Sequence, residues 1–196
     1  MKCALCKINN RCDKEGFDCT GGKLDLSPYQ RDENKPKHRI SGYLQKEFGN
    51  NLTRMEELVR FSKKSGYKKL GLAFCVGLAD EAKAINDILV DLGFEVESVC
   101  CKCGGLNKKD YEVPNVKDDK VEVLCNPVGQ AELLNKAKVD LNIELGLCVG
   151  HDILFHQFAE APVTVFAVKD RVLAHNPLGV IYSSYNRKKI KKLKNL

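Results

Sequence analysis

A chain of 196 residues with 43% hydrophobic content can bury one core, or a core with a small appendage, which excludes a wholly disordered polypeptide. It contains no run of about eighteen uncharged apolar residues, and no apolar stretch followed by a cleavage site opens it, so we expect a cytoplasmic protein without a membrane span or secretory signal. The net charge of +6 equals the contribution of Arg187, Lys188, Lys189, Lys191, Lys192 and Lys194. The rest is formally neutral, without the spread of basic and aromatic residues that follows a phosphate backbone, so a weak nucleic-acid contact is confined to the tail.

Taken in chain order, residues 1–26 form a cysteine-rich module, 27–50 a polar connector, 51–186 an α/β domain and 187–196 a basic tail expected to be solvated or frayed. The module holds Cys3, Cys6, Cys12 and Cys19 among charged and small residues, with few apolar ones such as Leu5 and Phe17. Ordering it costs about 1.5 kcal/mol per residue, more than so little apolar area offsets. It needs a staple, and a C-x2-C-x5-C-x6-C spacing supplies one, because the close pair reaches one ion from a tight turn and two later thiolates close a four-sulfur site. Zinc and an iron–sulfur cluster both suit these donors, and the longer gaps match neither the common ferredoxin spacing nor the paired zinc knuckle.

Beyond the connector, Thr53 and Glu56 read as a capping box ahead of an apolar stripe, Leu52, Met55, Leu58, Val59 and Phe61, that predicts a helix to near Gly66. The run 70–75 predicts a buried strand, and Asp80 opens a helix with Ile85, Ile88, Leu89 and Leu92 inward and Gly93 at its end. A strand over 94–100 completes a βαβ unit. A charged loop near Pro114 leads to a strand over 121–125, then to a helix with Asn126 as N-cap and Pro127 in its first position. Residues 141–148, 163–170 and 178–184 predict further strands, with a short helix over 151–158. This alternation predicts an α/β fold: a mainly parallel sheet with helices on both faces, plus the small N-terminal metal-binding module.

Ligands of such sheets bind outside the carboxyl ends of the strands, where loops converge and helix N-termini present free N–H groups. Cys75, Cys100, Cys125 and Cys148 fall at predicted strand ends, with Cys101 and Cys103 just beyond. Cys75, Cys103, Cys125 and Cys148 are therefore the candidate second set of sulfur ligands. Cys148 is also a candidate nucleophile at a helix N-terminus, with His151 or His175 as base or proton donor. Adjacent Cys100, Cys101 and Cys103 are not separable, since one residue of register turns a side chain to the other face. No phosphate-loop, dinucleotide or serine-hydrolase motif is present.

The cysteine-rich start, CNPVGQAELLN from Cys125, GLCVGHD from Gly146 and KDRVLAHNP from Lys169 resemble a prokaryotic family of uncharacterised, cysteine-rich proteins described only as metal-binding. The resemblance spans nearly the whole chain and implies metal binding without naming a reaction. The expectation is a metal-binding protein holding iron–sulfur or zinc, with electron transfer or a reductive step at a cysteine-lined crevice and a redox partner protein in the iron–sulfur case. The rivals are a thiol enzyme using Cys148 and a non-catalytic, zinc-stabilised binding module.

Overall fold

The computed structural model describes residues 2–6, 11–117 and 120–195. Its elements are α1 (Arg11–Lys14), α2 (Lys35–Phe48), α3 (Arg54–Lys64), β1 (Lys69–Phe74), α4 (Ala79–Asp91), β2 (Glu95–Cys100), α5 (Pro127–Lys136), β3 (Leu141–Leu145), α6 (Val149–Phe158), β4 (Val163–Ala167), α7 (Gly179–Tyr182) and α8 (Ser184–Lys191). The four strands are all parallel, in the order β2-β1-β3-β4. Chain progress reverses after β1, so the crevice that such sheets use for ligands lies between the carboxyl ends of β1 and β3.

Period-two alternation sorts the strand residues onto two apolar layers. Leu70, Leu72, Leu141, Ile143 and Leu145 pack with Leu58 of α3 and with Ala82, Ile85 and Leu89 of α4. On the other face, Ala73 meets Ala131 and Leu134 of α5 and Phe155 of α6. Gly71 is required in mid-strand: a Cβ there would stand 2.6 Å from Asn142 Oδ1 and 3.1 Å from the Leu134 side chain. The helix starts follow the sequence. Thr53 Oγ1 accepts from Glu56 N while Glu56 returns a carboxylate oxygen to Thr53 N, and Asn126 Oδ1 accepts from Gly129 N at 2.8 Å ahead of Pro127.

Four expectations need correction. Residues 121–125 form no strand: among the described residues their one bridge is Asn107↔Val123, because Lys108 N donates to Glu122 O and Leu124 N to Leu106 O, closing a local excursion instead of joining the sheet. Residues 178–184 form no strand: α7 covers Gly179–Tyr182, and the extended Ser183 caps α8 through Asn186 N, splitting the apolar run. The connector carries α2, whose Pro36 sits in the first turn where its missing donor is harmless, and α2 packs on α3. In α4, Ile88 and Leu92 are exposed at the edge of a stripe made by Leu78, Ala82, Ile85 and Leu89. The basic tail is helical over α8 and into a short turn at Lys192–Asn195.

Candidate functional site

The strand ends are tied together by backbone hydrogen bonds that continue past the ladder. Cys101 N donates to Phe74 O, Cys75 N to Leu145 O, Gly146 N to Ala167 O and Asn126 N to Cys101 O, at 2.6–3.0 Å. Three chain segments thereby bring Cys75, Cys101 and Cys125 into one apolar cluster beside α5. Gly146, at φ 69°, makes the tight exit from β3; a Cβ there would fall 2.1 Å from Leu78 Cδ1.

Each outer sulfur of this group has its own cation. Lys169 Nζ lies 3.2 Å from Cys75 Sγ, and Lys102 Nζ lies 3.2 Å from Cys125 Sγ while also donating to Val123 O at 2.7 Å. Cys101 sits between them and receives Val76 N at 3.3 Å. Burial pushes the Cys75 thiol up, but the Gly77 amide and the Lys169 ammonium outweigh it and hold Cys75 below the ordinary thiol value. Cys101 goes the other way. Burial, opposed only by the Val76 amide and reinforced by the sulfurs of Cys125 and Cys75, pushes it up to about 12.

The other candidates are placed differently. Cys103 Sγ approaches Asn126 O at 3.7 Å, and burial, with the nearby Cys100, raises its pKa. Cys148 is half-buried at the N-cap of α6, its carbonyl receiving His151 N and Asp152 N. His151 is half-buried; burial and the nearby Lys102 charge lower its pKa, against Asp152, so the neutral imidazole is favoured. His175 is engaged in its own loop: its Nδ1 accepts from Asp170 N at 3.1 Å, and both Ala174 and His175 adopt positive φ. Cys3, Cys6, Cys12 and Cys19 are exposed, and the Asp18 carboxylate shapes the turn after Cys19 by accepting from Thr20 N and Gly22 N. Among the described residues, no three His, Cys, Asp or Glu side chains are gathered as a metal-holding group.

Sequence reasoning left Cys101 undecided among its neighbours and missed Lys102, Lys169 and a buried carboxylate. Glu144 is 0% exposed on β3, receives His156 Nε2 at 2.9 Å and keeps Oε1 unpartnered. A charged residue inside the apolar run 141–147 was the available signal. Burial raises the Glu144 pKa above 4.5, against the stabilising His156, with Asp152 adding to the rise. The folded state therefore keeps this proton at pH values where the unfolded chain loses it, so stability falls as pH rises from 4.5 through the raised value. Thermal melts from pH 4 to 8 should show that fall, and Glu144→Gln should flatten it; an unchanged slope in the variant refutes the assignment.

A cavity of about 240 Å³ lies at the opposite, amino-terminal edge of the sheet, lined by Lys37, Arg54, Phe61, Tyr67 and Pro162, with no cysteine in its wall. The chemistry-bearing groups are at the carboxyl rim instead. Among the described residues no helix is long and apolar enough to cross a membrane.

Fold and rim together define a parallel-sheet α/β protein with a lysine-flanked thiol cluster at the strand ends. Residues 22–166 match the family described as "Protein of unknown function (DUF1847)", and the chain belongs to that family. It is also 44% identical over 195 residues to an uncharacterised protein of Methanocaldococcus jannaschii, covering 97% of this chain and 98% of that one. No solved structure matches.

Proposed function

We propose that this is a metal-binding protein whose inorganic centre, zinc or an iron–sulfur cluster, is held by Cys3, Cys6, Cys12 and Cys19. The observation that carries this reading is the absence of burial: over 2–6 and 11–26 no described side chain is buried and only Thr20 is half-buried. The described residues of this segment bury no apolar side chain that would order it, yet it carries four thiols. The donor chemistry fits a thiophilic centre, and the exposed sulfurs fit one whose binding is coupled to folding. A cluster there would supply an electron-transfer centre, and zinc a structural clip.

The chain's own residues do the rest. The short turn at Cys3–Leu5 sets the close pair, with Cys6 N donating to Cys3 O at 3.1 Å, and α1 presents Cys12. The rim sulfurs suit a different task, since ammonium groups on Cys75 and Cys125 occupy the approach a bare dication would take. A reducing cytoplasmic setting and, for the cluster form, a redox partner protein belong to the same proposal.

Anaerobic purification followed by iron, sulfide and zinc analysis tests it. One zinc, or iron with matching sulfide, is expected per chain, and serine at all four N-terminal positions should remove it. Metal-free wild-type protein, or a variant with unchanged metal content, refutes the reading.

A further inference from the structure

Cys75 and Cys101 directly follow two adjacent parallel strands, β1 and β2, at the same level. β1 and β2 are paired through Phe74↔Cys100, and Cys101 N still donates to Phe74 O at 2.8 Å, which puts Cys75 and Cys101 on the next rung. Neighbouring strands run about 4.8 Å apart, within the Cα separation of roughly 4.4–6.8 Å that a disulfide spans. Both side chains enter the same apolar cluster. Their surroundings differ: each sulfur receives a backbone amide, but Cys75 also has the Lys169 ammonium, whereas Cys101 is 2% exposed and meets no cation among the described residues.

We propose that Cys75 and Cys101 are a peroxide-reducing dithiol, in which Cys75 attacks and Cys101 resolves. The inference is independent of the metal site at the N-terminus. The substrate class follows from burial: with Cys75 only 8% exposed, the oxidant that fits it is a small hydroperoxide and not a peptide laid along the sulfur. The Cys75 thiolate, held by Lys169, attacks the terminal O–H oxygen. An S–O bond forms, the O–O bond breaks, and the alkoxide or hydroxide released takes a proton from water.

Cys101, one rung across on the neighbouring strand, then attacks the Cys75 sulfenic acid and gives up its thiol proton as it does so. The S–S bond forms, the S–O bond breaks, and the departing hydroxide leaves as water with the Cys101 proton. Two electrons pass from two thiols to the peroxide, giving an alcohol (or water) and water. An external dithiol reductant resets the pair. Cys125 and Lys102, on the far side of Cys101, take no bond in the cycle.

The test is non-reducing peptide mapping of full-length reduced protein, blocked with alkylating reagent after one equivalent of hydrogen peroxide. The expected product is a disulfide joining the Cys75 and Cys101 peptides. Cys101→Ser and Cys101→Ala should instead accumulate a sulfenic acid at Cys75, trapped by a dione probe, and Lys169→Met should slow thiol loss about tenfold, the scale of a lost charge-assisted hydrogen bond. A Cys101–Cys125 disulfide, or oxidation confined to Cys3, Cys6, Cys12 and Cys19, overturns the proposal. The wild-type map decides it even if a variant fails to fold.

Discussion

Alanine at Phe155 lowers the free energy of unfolding by about 3–5 kcal/mol, the cost of removing a buried ring and leaving a cavity that collapses only in part. Phe155 is the buried residue of α6, and it reaches the cluster that also contains Leu134, Leu147 and Cys101. The remaining large apolar residues of α6, Val149, Ile153, Leu154 and Phe158, are exposed and offer no substitute anchor. Loosening α6 also disturbs His156 against Glu144 and the N-cap at Cys148. Urea unfolding followed by circular dichroism measures the loss. A change below about 1 kcal/mol would show that α6 does not depend on this ring.

Serine at Cys12 and Cys19 leaves the α/β domain folded and opens residues 1–26 to protease. Metal binding contributes of order 10 kcal/mol to small modules of this kind, more than the few contacts seen in the segment. Among the described residues those contacts include the Arg11–Glu15 ion pair, the Arg11 guanidinium over the Phe17 ring and the Asp18 turn, all at the surface and individually weak. Limited proteolysis with mass readout, on protein as purified and after chelator, should show cleavage before residue 27 appearing on metal removal and in the variant. Equal cleavage in all samples would mean that no metal orders the segment.

Much of the architecture was legible because the relevant signals are local. The capping pair Thr53 and Glu56, the Asn126–Pro127 start and the apolar runs of β1 and β3 each state their own geometry. Residues 121–125 misled because alternation describes a side-chain pattern, whereas strand identity depends on which backbone partner arrives. The site was legible only in part. Sequence could place cysteines at strand ends, yet choosing Cys101 over Cys100 and Cys103 required the register that sets Phe74 opposite Cys100. Lys102 and Lys169 read as ordinary surface charges, and nothing nearby in sequence shows their ammonium groups returning to sulfurs 23 and 94 positions away. Glu144 was hidden for a related reason: its partner, His156, comes from the next helix across the face of the sheet.

The excursion between Cys101 and Cys125 is closed at its base by Asn107↔Val123 and by the Lys108–Glu122 ion pair, with Glu122 also receiving Val116 N and Lys117 N. Its neck is therefore fixed independently of its tip. An insertion beyond that neck would leave the sulfurs in place, whereas a single-residue insertion within β1 or β2 would slide one thiol out of step with its neighbour. The tip is therefore the natural place to attach a tag or reporter.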